Sequence, residues 1–280
     1  MNHDNVSAQS IDPGVFKEKY GPWALIAGAS HGLGAVFARQ LASLGLNCVL
    51  LSRRPAVLET LQKELELEYG IEALSVGIDL MTEDAVDKII ERVGDREIGL
   101  LVYNAGAPPL TEAFLKVSAN DWDGFVRMNT VTVYRCCHHF GSQMIERGRG
   151  GVILVGSHAA FGGTKKLSLY TATKGFILNL GESLWAEWKD QGVDVLNLVI
   201  GSTDTPTMRE HMAAHGMVLP EGALPTPEEI VPLGLAKLND GPSLVHPDDI
   251  DLSADEKSRG HVRRDHVIES TRISAQFIGD

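Results

Sequence analysis

Tyr170 and Lys174 stand four residues apart in a stretch, 167–189, whose apolar spacing predicts a helix, so both side chains share one face and can meet. A phenol exchanges a proton near neutral pH only where a cation stabilises the phenolate, because its ordinary pKa is about 10. Lys174 offers that cation. Thirteen residues before Tyr170, Ser157 closes a predicted strand, where its hydroxyl can hydrogen-bond the oxygen that the phenol would protonate. Phenol, amine and hydroxyl together suit proton transfer to a carbonyl that accepts a hydride, or the reverse from a secondary alcohol.

A hydride needs a carrier, and the stretch Ala27-Gly28-Ala29-Ser30-His31-Gly32-Leu33-Gly34 lies between a predicted strand and a predicted helix. Glycines there let the backbone turn sharply and approach a pyrophosphate at the helix N-terminus. Gly28, Ser30, His31, Gly32, Leu33 and Gly34 are therefore candidate cofactor contacts, with a plain turn as the competing reading. The next strand ends in Ser52-Arg53-Arg54, where an NAD site would usually place an acid for the ribose 2′-hydroxyl. Guanidinium groups instead bind phosphate, and a helix start disfavours unpaired cations, so Arg53 and Arg54 point to NADP(H). Asp79-Leu80 closes the third strand, where the carboxylate could accept from an adenine amino group or cap a helix beginning near Thr82. Asn104-Ala105-Gly106 ends the fourth, where small residues permit close cofactor approach or simply form a turn.

These positions fall at the ends of strand-like runs at 23–27, 47–51, 73–78, 98–103, 152–155 and 193–200, separated by helical patterns. Parallel neighbours need long crossovers, so the alternation predicts one α/β domain: a doubly wound parallel sheet of about seven strands with helices on both faces. Ser118, with Asp121 three residues on, should start one long helix, and Thr226-Pro227-Glu228-Glu229 another reaching about Leu238. Residues 243–246 suit a seventh, edge strand. The expected division is an extension at 1–19, the catalytic domain at 20–250 and a helical tail at 251–280, packed on the domain or on a partner subunit.

Taken in order, these motifs resemble the short-chain dehydrogenase/reductase family, whose fold is of the Rossmann type. The resemblance implies Tyr170 as general acid/base, Lys174 lowering its pKa and binding the nicotinamide ribose, and Ser157 orienting substrate. It also implies that Asn129, in Met128-Asn129-Thr130, supports a proton relay through water; by itself Asn129 reads as a mid-helix polar residue. Gly201, Thr203 and Thr205 would lie by the nicotinamide. Three positions depart from the family pattern: Ala27 replaces the usual Thr, Tyr103 the first Asn of Asn-Asn-Ala-Gly, and Ile200-Gly201 the usual Pro-Gly. None removes a catalytic group, and the intact set of four speaks against a cofactor-binding regulatory protein without turnover.

Segments around Tyr20-Gly21-Pro22-Trp23, 201–206 and 224–229 are similar to bacterial hydroxysteroid dehydrogenases, and related ketoacyl-coenzyme A reductases share the N-terminal part. A hydrophobic small-molecule ketone or alcohol, steroid-like, is the implied substrate, with a ketoacyl thioester or a general carbonyl compound as alternatives. Met208, Met212, Met217, Val218 and Leu219 suit such a molecule, or ordinary helix packing. The resemblance further implies a homodimer or homotetramer through the helices beginning near Ser118 and Leu167.

A net charge of −12 over 280 residues argues against nucleic acid as the main partner, since phosphate backbones reward clustered Lys and Arg. No apolar run approaches the roughly 18 residues of a membrane span, and residues 1–13 lack the pattern of a secretory leader. With three cysteines, Cys48, Cys136 and Cys137, no disulfide framework is implied, and a cytoplasmic setting is expected. Neighbouring helical residues such as Cys136-Cys137-His138-His139 diverge by about 100° and cannot converge on one ion. His211 and His215 have ligand spacing without an evident third ligand, so no metal is expected.

Overall fold

The computed structural model describes residues 11–106, 113–163, 165–214, 216, 218–246, 264 and 268. Seven strands form one parallel sheet in the order β3-β2-β1-β4-β5-β6-β7: β1 Trp23–Ala27, β2 Asn47–Ser52, β3 Ala73–Gly77, β4 Ile98–Tyr103, β5 Gly150–Ser157, β6 Val193–Ile200 and β7 Ser243–His246. Alternate residues of each central strand serve opposite cores. Ala24, Ile26, Leu100, Val102, Ile153 and Val155 face one side. Leu25, Leu101, Tyr103, Val152 and Leu154 face the other. Burial on both faces is why these strands read as unbroken apolar runs instead of alternating ones.

One face is covered by α2 (Gly32–Ser43), α3 (Pro55–Tyr69) and α9 (Pro227–Ala236), through Phe37, Leu41, Leu58, Leu65 and Ile230. The other is covered by α4 (Ala85–Val93), α6 (Val131–Arg147) and α7 (Ser168–Trp188), through Ile89, Val133, Phe140 and Ile177. Between α4 and α6 lies α5 (Ala119–Asn129), and after β6 comes α8 (Pro206–Ala214). Among the described residues no helix is long and apolar enough to cross a membrane. Cys136 and Cys137 are buried within the second core, which pushes both thiols up, Cys136 to about 12.

Several boundaries differ from expectation for identifiable reasons. The helix expected from Thr82 begins three residues later at Ala85, because the Thr82 hydroxyl bonds Asp79 O and the Asp84 carboxylate in a preceding turn. Ser118 caps α5 as expected, accepting from Asp121 N at 3.2 Å, but the single helix expected there is broken at Thr130 (φ −134°, ψ −70°) into α5 and α6. Thr226 and Glu229 form the expected reciprocal cap of α9, which ends at Ala236, two residues short of Leu238. The stretch set apart as an N-terminal extension contains α1 (Pro13–Tyr20), capped by Asp12, with Phe16 buried in the first core. Tyr20 Oη donates to Asp194 Oδ2 of β6 at 2.6 Å, tying α1 across the sheet. The tail, expected to be helical, lies almost wholly outside the described residues; Arg264 is helical and its guanidinium lies 5.6 Å from the Trp185 ring centroid.

Candidate active site

Strand order reverses between β1 and β4, and ligands of open parallel sheets bind at the carboxyl ends of the strands beside such a point. Ala27 pairs with Tyr103 across that junction, so Gly28 and Asn104 emerge side by side. Asn104 Nδ2 donates to Gly28 O at 3.1 Å. Gly28 takes φ +84°, and a Cβ on Gly34 would lie 2.0 Å from Gly28 O, so the turn closes only with hydrogen at position 34. A nicotinamide dinucleotide fits this turn. The backbone is stripped of side chains where a diphosphate would approach, and α2 begins at Gly32 with its free amides facing that place.

At the edge of the turn, Arg54 Nη2 donates to Ser30 Oγ at 3.0 Å and also contacts both ring nitrogens of His31. His31 Nε2 lies 3.0 Å from Thr207 Oγ1 in α8. Burial, and then the Arg54 charge, push the His31 imidazole below its usual pKa, as expected of a ring facing a guanidinium. Arg53 and Arg54 are both exposed, and it is Arg54 that reaches the glycine turn. Leu33 is buried in the first core, so its side chain packs α2 on the sheet and only its backbone belongs to the turn.

Asp79 does not cap α4, which starts beyond it after Asp84; its carboxylate accepts from Met81 N at 3.0 Å in a local turn. Leu80 is buried and its carbonyl accepts from the Thr132 hydroxyl at 3.0 Å, which anchors α6 to the turn that follows β3. Thr205 caps α8 by accepting from Met208 N at 3.1 Å, and its methyl would meet a Cβ on Gly32 at 3.3 Å. Thr203 is buried with its hydroxyl on Gly201 O at 3.3 Å, and Gly201 N donates to His246 O at 3.0 Å, so this loop is held by β7.

Ser157, Tyr170 and Lys174 meet at the end of β5. The Ser157 hydroxyl accepts from Ala159 N at 3.2 Å, beside the Tyr170 phenol. Burial raises the Tyr170 pKa and the neighbouring Ser157 hydroxyl opposes the rise. Lys174 is 5 % exposed; its Nζ donates to Val155 O at 3.0 Å and lies 5.8 Å from the Tyr170 ring centroid. Desolvation lowers its pKa to about 8. Asn129 is fully buried at the end of α5. Its Nδ2 donates to Phe125 O at 2.9 Å, and its Oδ1 has no partner. A Cβ on Gly106 would lie 3.6 Å from Lys174 Nζ and 3.8 Å from Asn129 Oδ1, so the amine and the unpaired oxygen flank one point. An acid, a hydroxyl, a buried amine and an idle acceptor can together pass a proton to or from an oxygen held beside the phenol.

The sequence reading did not anticipate the Val155 carbonyl as the partner of Lys174, nor Thr207 beside His31; each meets its partner only through folding, and no local signal marks it. On the substrate side, Leu219 is buried, Met208 and Met212 are partly exposed, and Val218 is 87 % exposed; Met217 and His215 lie outside the described residues, as does the His211 side chain.

A doubly wound sheet with a glycine turn after β1 and Ser, Tyr and Lys gathered over β5 defines a dehydrogenase of the nicotinamide type. The family model for short chain dehydrogenases matches residues 22–215, and the chain belongs to that family. It is an oxidoreductase acting on CH–OH groups with a nicotinamide cofactor. It is 30 % identical over 258 residues to the 7beta-hydroxysteroid dehydrogenase of Mediterraneibacter gnavus, covering 90 % of this chain and 96 % of that one. It is 33 % identical over 224 residues to the very-long-chain 3-oxoacyl-CoA reductase of Neurospora crassa, covering 79 % of this chain and 65 % of that one. A solved 7beta-hydroxysteroid dehydrogenase structure superposes with a TM-score of 0.78 at 27 % identity, covering 91 % of this chain and 98 % of that one. A short-chain dehydrogenase from Sphingobium yanoikuyae in complex with NADPH gives 0.73 at 26 % identity, covering 92 % and 96 %.

Proposed function

We propose that this chain interconverts a ketone and a secondary alcohol on a bulky hydrophobic substrate of the hydroxysteroid kind, using NADP(H). The observation that carries the reading is the buried Lys174 amine, 5.8 Å from the Tyr170 ring centroid and bonded to the Val155 carbonyl two residues before Ser157. When bound, the reduced nicotinamide supplies a hydride for the carbonyl carbon. Ser157 hydrogen-bonds the carbonyl oxygen and polarises it. Tyr170 gives its phenolic proton to that oxygen, and in alcohol oxidation the phenolate takes it back. Lys174 stabilises the phenolate by its charge and holds the nicotinamide ribose. The unpaired Asn129 Oδ1 supports the path by which Tyr170 is reprotonated.

NADP over NAD is supported by Arg54, which with Ser30 and His31 gathers donors where a 2′-phosphate would sit and brings no acid. Gly28, Gly32, Gly34 and Asn104 to Gly106 would line the diphosphate and nicotinamide side, with Arg53 and Asp79 toward the adenosine and Gly201, Thr203 and Thr205 over the nicotinamide. Similarity to a 7beta-hydroxysteroid dehydrogenase over nearly its whole length supports a steroid-like ketone; similarity to a 3-oxoacyl-CoA reductase keeps a ketoacyl thioester as the second reading. A homodimer or homotetramer through the α5–α6 and α7 faces, where Tyr134 and Phe176 are exposed, and a cytoplasmic setting complete the proposal.

The test is NADPH oxidation, followed by absorbance, against oxo-steroids, 3-ketoacyl thioesters and small ketones, with NADH in parallel. Turnover of oxo-steroids with NADPH that disappears in Tyr170→Phe, while NADPH still binds, is the expected result. A Tyr170→Phe enzyme with normal turnover would overturn the mechanism, and NADPH binding without turnover of any class would overturn the substrate assignment.

A further inference from the structure

β4 ends on Tyr103, where relatives of this fold are expected to carry Asn, and its ring is enclosed in the second core at 2 % exposure. The hydroxyl is not idle: it donates to Met128 O at 2.6 Å. Met128 precedes Asn129 at the end of α5, next to the Thr130 break that separates α5 from α6. Three residues beyond Tyr103, on the same strand end, Gly106 adjoins both Lys174 Nζ and the unpaired Asn129 Oδ1. One hydrogen bond therefore links the strand end that carries Asn104 and Gly106 to the helix end that carries Asn129.

We propose that Tyr103 is a positioning residue for the proton path: by holding the Met128 carbonyl it fixes Asn129 at the helix break in register with Gly106 and Lys174. The inference rests on the reading of Asn129 and Lys174 given above. The planar amide and its Nδ2 bond to Phe125 O set Asn129 Oδ1 relative to α5, so its place against Gly106 and Lys174 depends on how α5 is held to β4. Nδ2 binds within α5, so that bond cannot set α5 against β4. Tyr103 supplies the missing tie. Packing alone does not explain a phenol here, because Phe would fill the same volume without the hydroxyl.

Tyr103→Phe, Asn129→Ala and the double variant, compared in steady-state turnover, NADPH binding and thermal unfolding, test this as a cycle. Tyr103→Phe is expected to lower kcat about 10- to 100-fold, as small misplacements of catalytic groups do, with NADPH affinity within about twofold of the parent. In the double variant, kcat should match that of Asn129→Ala, since Tyr103 acts through Asn129. Full kcat in Tyr103→Phe, or losses that multiply in the double variant, would overturn the proposal while leaving the site intact. Normal kcat in Asn129→Ala would instead overturn the relay on which the proposal stands.

Discussion

The amine of Lys174 donates to the carbonyl oxygen of Val155 at 3.0 Å, joining the first turns of α7 to the last residues of β5 beside Ser157. The same burial that fixes this geometry lowers its pKa from 10.5 to about 8. The folded chain therefore carries the charge at a cost that is complete below pH 8, shrinks as pH rises, and vanishes above 10.5, where folded and unfolded chains are both neutral. Lys174→Met should accordingly raise unfolding free energy at pH 7 by on the order of 1–3 kcal/mol while abolishing turnover. Between pH 8 and 10.5 the parent should gain stability relative to the variant. Denaturant unfolding at pH 7 and near pH 10 checks both, and a variant less stable than the parent at pH 7 would contradict the account.

Ser157 opposes the burial that raises Tyr170. In Ser157→Ala that pull is lost, so the phenol needs a higher pH to ionise. Alcohol oxidation requires the phenolate, and its rate therefore rises with pH through the Tyr170 pKa. The rising limb of kcat/KM should move to higher pH in Ser157→Ala, with kcat about 10²–10³-fold lower from loss of the donor. A limb that stays in place or moves down would show that Ser157 does not tune the phenol.

Both arginines are exposed, and Arg54 reaches Ser30 and His31. Arg54→Ala should weaken NADPH binding about 10- to 100-fold, the worth of a charge-assisted bond, and leave NADH almost unchanged. Arg53→Ala should have the smaller effect. Fluorescence titration of both variants with both cofactors decides, and equal losses for NADPH and NADH would remove Arg54 from phosphate recognition.

A methyl at Gly34 would meet backbone, Gly28 O at 2.0 Å, and backbone cannot step aside. Gly34→Ala should destabilise the fold by about 1–3 kcal/mol and sharply weaken cofactor binding, because the turn has to open. Gly162, with nothing within 4 Å of an added Cβ, is the control, and Gly162→Ala should leave both unchanged. Gly34→Ala with parental cofactor affinity would show that the turn tolerates rearrangement.

The order of strands and helices was legible in the sequence because parallel strands buried on both faces are continuous apolar runs, as at Ile98–Tyr103, and because caps such as Ser118 and Thr226 are local hydrogen-bonding devices. The proposed catalytic pair was legible for a similar reason: Tyr170 and Lys174 share a helix face by spacing alone. Contacts between distant elements were not. The stretch from Ser118 to Arg147 keeps a helical pattern, yet it breaks at Thr130, beside the Met128 carbonyl held by Tyr103 and the Thr132 hydroxyl held by Leu80. α1 buries only Phe16 and Tyr20 and is tied by a hydrogen bond from Tyr20 to a residue 174 positions away. Spacing put Lys174 near the phenol, but the fold gave its hydrogen bond to Val155 and brought Ser157 beside Tyr170. Local rules of period, cap and turn are written in neighbouring residues. Which polar atom meets which across the sheet depends on register and burial, and those exist only once the chain has folded.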